Sequence, residues 1–324
     1  MGIKRIRIRK FKSIEDITLD VQDLQILIGE NSVGKSNILD AICYFYDNLC
    51  FRKMRMDIFN NNNPFSNRID IEVVFDLSKI LMKINRNIKI GKTKYENYYK
   101  KINGMSAGKN EFVIKMHQIK DGKIYWNTDY YDRKVISGLF PLYFVDTRKL
   151  NTTSWNELWN TIGDLIKIDD VKREIIHGNF RKEIEKEEYG LKNKYDWIES
   201  SLDNLDLKVK QFTSKEYAAL MSQELFSGKE FLSFGKKLDV QSNGINTFNY
   251  LCLLIKVLDN ISVVKLKEPV VIIDEPEISL HNQLIDILVK NITNTSENIA
   301  FLISTHSTRM VKDVLKLNES SRRI

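Results

Sequence analysis

A chain of 324 residues with 43% hydrophobic residues and only 4 prolines has the composition of a folded globular protein and excludes a disordered one. No run approaches 18 consecutive apolar residues, so no membrane-spanning segment is expected, and the N-terminal Met-Gly-Ile-Lys-Arg-Ile-Arg-Ile-Arg lacks the apolar stretch of a signal peptide. The net charge of +7 permits nucleic-acid binding without requiring it, because Lys, Asn and Ile are abundant throughout. Cys43, Cys50 and Cys252 have no metal-ligand spacing, and their odd number argues against a disulfide framework. These features together read as a cytoplasmic protein without a membrane partner.

Ile3, Ile6 and Ile8, standing among Lys4, Arg5, Arg7 and Arg9, predict a first strand; Ile17, Leu19 and Val21 predict a second. A mostly apolar run at 24–28 predicts a third, and it leads directly into Gly29-Glu30-Asn31-Ser32-Val33-Gly34-Lys35-Ser36. That octet is a complete G-x-x-x-x-G-K-[ST] loop in the strand-to-helix context its chemistry needs. Its backbone N–H groups would point at a phosphate lying at the positive end of the following helix. Lys35 would bridge the β- and γ-phosphates, and the Ser36 hydroxyl would ligate Mg²⁺, so the cofactors expected are ATP and Mg²⁺.

Beyond the loop, Ile38, Ala41, Ile42, Phe45 and Leu49 have helical spacing, Asn60 to Asn63 with Pro64 break the chain, and Ile69, Ile71, Val73 and Phe75 alternate as a half-buried strand. Residues 91–110 interleave Lys92, Lys94, Lys100 and Lys101 with Tyr95, Tyr98 and Tyr99. That mix can stack on nucleic acid, but more often it marks a solvated surface loop. Segments 111–119 and 123–127 flank Asp121-Gly122 as a hairpin, and 142–145 is a short apolar strand. From Trp155 to about Phe226 the pattern is helical and strongly charged, with no catalytic constellation, and is expected to form an insertion. The predicted organisation is therefore 1–150, an insertion at 151–228, and 229–324.

Gln241-Ser242-Asn243-Gly244 heads an apolar helix, which makes either a second anion-binding helix start or an ordinary cap. The apolar run 269–273 delivers Asp274 and Glu275 at a strand's carboxyl end. Asp274 there would hold Mg²⁺, and Glu275 would orient and deprotonate the attacking water. A further apolar strand, 299–303, ends in Ser304-Thr305-His306-Ser307. Ser307 could cap a helix, and His306 could hydrogen-bond a γ-phosphate.

The order of these four motifs resembles the ABC-type ATPases, and more closely the RecF/SMC-like branch that includes the OLD-family (overcoming lysogenization defect) nucleases. Asp274-Glu275-Pro276-Glu277-Ile278-Ser279-Leu280-His281 and Ser304-Thr305-His306-Ser307 look particularly like OLD-family ATPase domains. Segments 140–159 and 241–258 are similar to OLD-type effectors of retron defence systems. The resemblance implies an α/β, ABC-type P-loop ATPase head: a mixed β-sheet core with flanking helices, carrying a helical insertion. It implies that Lys35 and Ser36 fall on Walker A, Asp274 and Glu275 on Walker B and His306 on the switch position. Ser242 and Gly244 would then contact the γ-phosphate held by a second subunit, so that two heads form a homodimer, or a higher oligomer, around sandwiched ATP. Further partners implied are a Toprim nuclease domain or subunit and duplex DNA, in antiviral defence; the alternative is a stand-alone ATP-gated DNA clamp.

Three departures temper the match. Gln241-Ser242-Asn243-Gly244 is not the Leu-Ser-Gly-Gly-Gln of transporters. No Asp-x-Asp pair of a Toprim site is present, so ATPase but not nuclease activity is expected of this chain, and a fragment of a longer protein is expected. Lys12 lies where relatives carry a basic residue near the nucleotide, or is simply an exposed strand lysine.

Overall fold

Strand β1 (Ile3–Phe11) buries Ile3, Ile6, Ile8 and Phe11; Ile6 and Ile8 keep the two-residue period of a one-sided sheet, and a register shift lies between Ile3 and Arg5. In this computed structural model, residues 2–29, 34–51, 53–59, 67–89, 96–106, 109–152, 154–166, 168, 170–186, 190–205, 207–278 and 280–321 are described. β1 turns tightly into the antiparallel β2 (Ile14–Asp20), with Lys10 and Lys12 at positive φ of 56° and 50°. The third predicted strand, β3 (Leu24–Ile28), leaves this sheet for another, and helix α1 (Lys35–Cys50) follows it.

β4 (Arg68–Asp76) pairs antiparallel with β1, and helices α2 (Ser78–Lys89) and α3 (Glu96–Met105) come next. Helix α3 corrects the loop expected over 91–110. Tyr99, Ile102 and Met105, three residues apart, lie on one helical face against the core, and Ile102 is fully buried. Residues 91–95, 107 and 108 of that stretch lie outside the described residues. β5 (Glu111–Ile119) and β6 (Ile124–Trp126) form the predicted hairpin around Gly122 and complete a five-stranded antiparallel sheet of order β2-β1-β4-β5-β6.

Helix α4 (Tyr130–Leu139), capped by the Asp129 side chain, leads to β7 (Leu142–Asp146). Contacts then divide the chain into two units, Met1–Thr153 with Leu238–Ile324, and Ser154–Lys237. The second contains helices α5 (Asn156–Ile166), α6 (Asp170–Ile184), α7 (Lys192–Asn204) and α8 (Ser214–Leu225), then the minimal hairpin β8 (Leu232–Ser233) and β9 (Lys236–Lys237). α5 and α8 pack so closely that a Cβ on Gly163 would sit 2.9 Å from the Ala219 backbone nitrogen. Trp159 stacks on Phe231 with ring centroids 4.4 Å apart.

Helix α9 (Asn243–Lys265) returns to the first unit, followed by β10 (Val270–Asp274), α10 (Asn282–Thr295), β11 (Ala300–Thr305) and α11 (Thr308–Ser321). β3, β11, β10 and β7 form a four-stranded parallel sheet in that order, and β10 and β11 are buried along their whole length. Continuous apolar runs, rather than alternation, are what a parallel strand covered on both faces requires. Val270, Ile272, Ala300 and Leu302 join Phe45 of α1 and Ile6, Ile8 and Phe75 of the antiparallel sheet in one core. By length and composition α9 could cross a bilayer over Asn243–Val264. Half of that window is buried, however, and its buried residues include the polar Asn246, Thr247 and Ser262, as in a core helix.

Candidate nucleotide and metal site

The registers of the parallel sheet bring four strand ends to one level. Thr305 pairs with Ile28, and Asp274 pairs with both Ser304 and Asp146. The carboxyl edge of such a sheet is where open α/β folds bind ligands. Gly29 follows β3, and Gly34, at φ 99°, takes a left-handed turn that a glycine adopts without strain before α1 begins at Lys35. Glu30, Asn31, Ser32 and Val33 lie outside the described residues.

Lys35 is buried and its Nζ donates to the Gly29 carbonyl at 2.6 Å; the same carbonyl lies 2.8 Å from His306 Nδ1. Lys35 Nζ and His306 Nδ1 are themselves 3.4 Å apart. On its other side the imidazole places Nε2 2.5 Å from Glu275 Oε1. One ring nitrogen thus faces a backbone carbonyl and the other a carboxylate oxygen. Lys35, His306 and Glu275 thus form one connected network.

Glu275 sits at φ 51°, unusual for a residue with a Cβ. Its N–H donates to the Ser304 carbonyl at 3.0 Å, and its own carbonyl accepts from Thr147 Oγ1 at 2.7 Å. Local strain persists where surrounding contacts over-determine it, as they do here. Asp274 is almost fully buried; Oδ1 accepts from Ser304 Oγ, and Oδ2 accepts from Arg148 Nη2 at 2.5 Å. Arg148 also reaches Asp146 Oδ1 with Nε at 3.1 Å and Glu275 Oε2 with Nη1 at 3.7 Å. Burial would push the Asp146 carboxyl up. Hydrogen bonds from Arg148 and Lys149 outweigh that and hold it below the usual carboxylate range.

Ser36 occupies the first turn of α1, exposed. With Asp274 it offers two hard oxygen donors of the kind Mg²⁺ takes, the remaining ligands being phosphate and water. Among the described residues no group of three or more His, Cys, Asp or Glu could hold a metal by itself. A site that borrows its ligands from a nucleotide needs no such group, so the donor set fits Mg²⁺.

Ser307 caps α11, its Oγ accepting from the Met310 N–H at 3.2 Å, beside the His306 network rather than instead of it. Ser242 caps α9, its Oγ accepting from the Ile245 N–H at 3.4 Å, and Gly244 is the second residue of that helix. The hydrogen bonds described join neither of them to Lys35, Asp274, Glu275 or His306. Lys12 pairs with Asp40 of α1, Nζ to Oδ2 at 2.6 Å, and Ser13 accepts from Asn37 at 2.7 Å, which holds the β1–β2 turn against the start of α1.

Sequence reasoning missed Asp146, Thr147, Arg148 and Glu277. For the first three the available signal was that β7, like β10, is a short run ending in Asp, and for Glu277 it was its place in the Asp274–His281 stretch.

Fold and site together define an ABC-type P-loop ATPase head with a helical insertion. The family model described as RecF/RecN/SMC N terminal domain matches residues 2–322, and the chain belongs to that family. It is 22% identical over 252 residues to the chromosome partition protein Smc of Methanococcus voltae; that alignment takes in 76% of this chain and 19% of the relative, so the chain spans about a fifth of that protein. Among solved structures, an Smc head bound to the C-terminal winged-helix domain of ScpA superposes with a TM-score of 0.56 at 16% identity, covering 97% of this chain and 92% of the other. The Smc head with extended coiled coil bound to the C-terminal domain of ScpA, derived from Pyrococcus furiosus, gives a TM-score of 0.54 at 14% identity, covering 96% and 91%. At these identities the likeness is one of fold.

Proposed function

We propose that this chain is an ATPase head that binds Mg–ATP, dimerises on it and hydrolyses it to regulate a DNA-processing activity of Toprim nuclease type in antiviral defence. The observation that carries the ATPase reading is the joining of Lys35, His306 and Glu275 through the Gly29 carbonyl, with Asp274 beside them at the carboxyl edge of one parallel sheet. Lys35 would move from the carbonyl to the β- and γ-phosphates, and His306 would face the γ-phosphate. Ser36 and Asp274 would hold Mg²⁺, which when bound neutralises charge on the phosphate oxygens. Glu275 would take a proton from the attacking water and share it with His306 across their 2.5 Å contact. Ser242 and Gly244, at the head of a 23-residue helix, would complete the site of a partner head.

The nuclease and defence parts of the reading rest on the OLD-like stretch from Asp274 to His281 and on Ser304-Thr305-His306-Ser307. Similarity to a chromosome partition protein favours a second reading, an ATP-gated DNA clamp. Phosphate release and ATP-dependent dimerisation, followed by sedimentation with and without duplex DNA, test both. Turnover that does not need Lys35 would sink the ATPase reading; ATP-dependent, salt-sensitive retention on DNA without any effect on cleavage would favour the clamp.

A further inference from the structure

Arg148 serves three carboxylates at once. Asp146, Asp274 and Glu275 have side chains only 7%, 3% and 9% exposed, whereas Arg148 is 43% exposed on the turn after β7. Buried carboxylates are costly unless a cation compensates them. Among the described residues Lys149 is paired with Asp146, and the cation paired with Asp274 is Arg148.

Both oxygens of Asp274 are engaged, Oδ1 by the Ser304 hydroxyl and Oδ2 by Arg148 Nη2. The two partners differ in freedom. Ser304 is fixed within a buried strand, whereas the Arg148 guanidinium has an open side toward solvent. A cation that takes Asp274, directly or through water, therefore meets Arg148 as its competitor and can displace it without moving the sheet.

We propose that Arg148 is a displaceable internal counter-ion that competes with the metal for Asp274 and sets the metal concentration at which the site loads. This rests on the reading of Ser36 and Asp274 as the Mg²⁺ ligands. Displaced from Asp274, the guanidinium remains tethered by Asp146, to which it is bonded by its Nε and by its own backbone N–H at 3.1 Å each. Arg148 is thus a positioning residue with two stations, not a metal ligand.

The test measures Mn²⁺ affinity in the presence of ADP for the full chain and its variants, together with thermal midpoints with and without the metal. Arg148→Gln is expected to bind Mn²⁺ on the order of tenfold more tightly than the unmutated chain, since a charge-assisted competitor is gone. Its midpoint without metal should fall, and Mn²⁺ with ADP should restore it. Arg148→Lys, which keeps a charge but not the planar fork, should lie between the two. Equal or weaker Mn²⁺ binding by Arg148→Gln overturns the proposal; if that variant does not fold, the same result in Arg148→Lys does so. Mn²⁺ binding unchanged by Asp274→Asn overturns the ligand assignment itself, and the proposal falls with it.

Discussion

The backbone N–H of His306 donates to Oε1 of Glu277 at 2.5 Å, across 29 positions of sequence. The same oxygen accepts from Thr305 Oγ1 at 2.7 Å and from the Ser307 N–H at 3.2 Å. One carboxylate oxygen thus fixes the terminus that carries His306 to the loop that carries Glu275. Among the described residues, Glu277 Oε2 is buried with no hydrogen-bond partner.

Glu277→Gln can therefore present its carbonyl where Oε1 stands, and is expected to retain most turnover. Glu277→Ala leaves the His306 N–H and the Thr305 hydroxyl without their acceptor and lets His306 drift, while the Ser307 N–H keeps Thr305 Oγ1. Its turnover should fall on the order of tenfold or more, with ATP affinity little changed. Steady-state phosphate release separates the two variants; equal loss in both would mean that the charge, not the acceptor, matters.

Glu275→Gln should leave nucleotide binding intact and reduce hydrolysis on the order of 100-fold or more, the usual contribution of a general base. Equilibrium ATP binding and single-turnover hydrolysis measure the two quantities independently. Turnover near the unmutated rate would remove Glu275 from the role of base.

Lys35→Ala and Ser242→Arg should each be inactive alone. Mixed together they should regain partial activity, because a mixed dimer pairs the intact Lys35 of one head with the intact Ser242 of the other. No recovery on mixing would argue that Ser242 only caps α9.

Acid should destabilise the fold in a definite window. Burial would raise the Asp40 carboxyl, but hydrogen bonds from Arg55 and Lys12 prevail and hold it below its ordinary value. A carboxyl depressed in the folded state contributes stability above its unfolded value of roughly 3.9, lost as pH falls through the folded value. The thermal midpoint should thus fall below about pH 4. Asp40→Asn should melt lower at neutral pH and lose less on acidification; an unchanged acid slope would take Asp40 out of the account.

The phosphate loop could be proposed from sequence because the motif lies in eight consecutive residues, and Asp274, Glu275 and His306 could be picked out as polar residues ending apolar runs. Arg148 and Asp146 could not, because their importance comes from the register that sets β7 beside β10, across more than 120 positions of sequence. Helix α3 was misread because its lysines and Gly104 mask a narrow apolar face of Tyr99, Ile102 and Met105, which becomes decisive only against the core. The alternation of β1 and β4 and the continuous runs of β10 and β11 each carried their own burial pattern, so both sheet types were readable locally.

Among the described residues β3 pairs with β11 alone. The strand that leads into Gly29 is made about 270 residues before its sheet partner. Until then β3 has no neighbour to define its edge, and His306 has not been synthesised to meet Gly29. A nascent chain halted anywhere before Thr305 should therefore lack the His306 network, which can close only after both ends of the parallel sheet have been made.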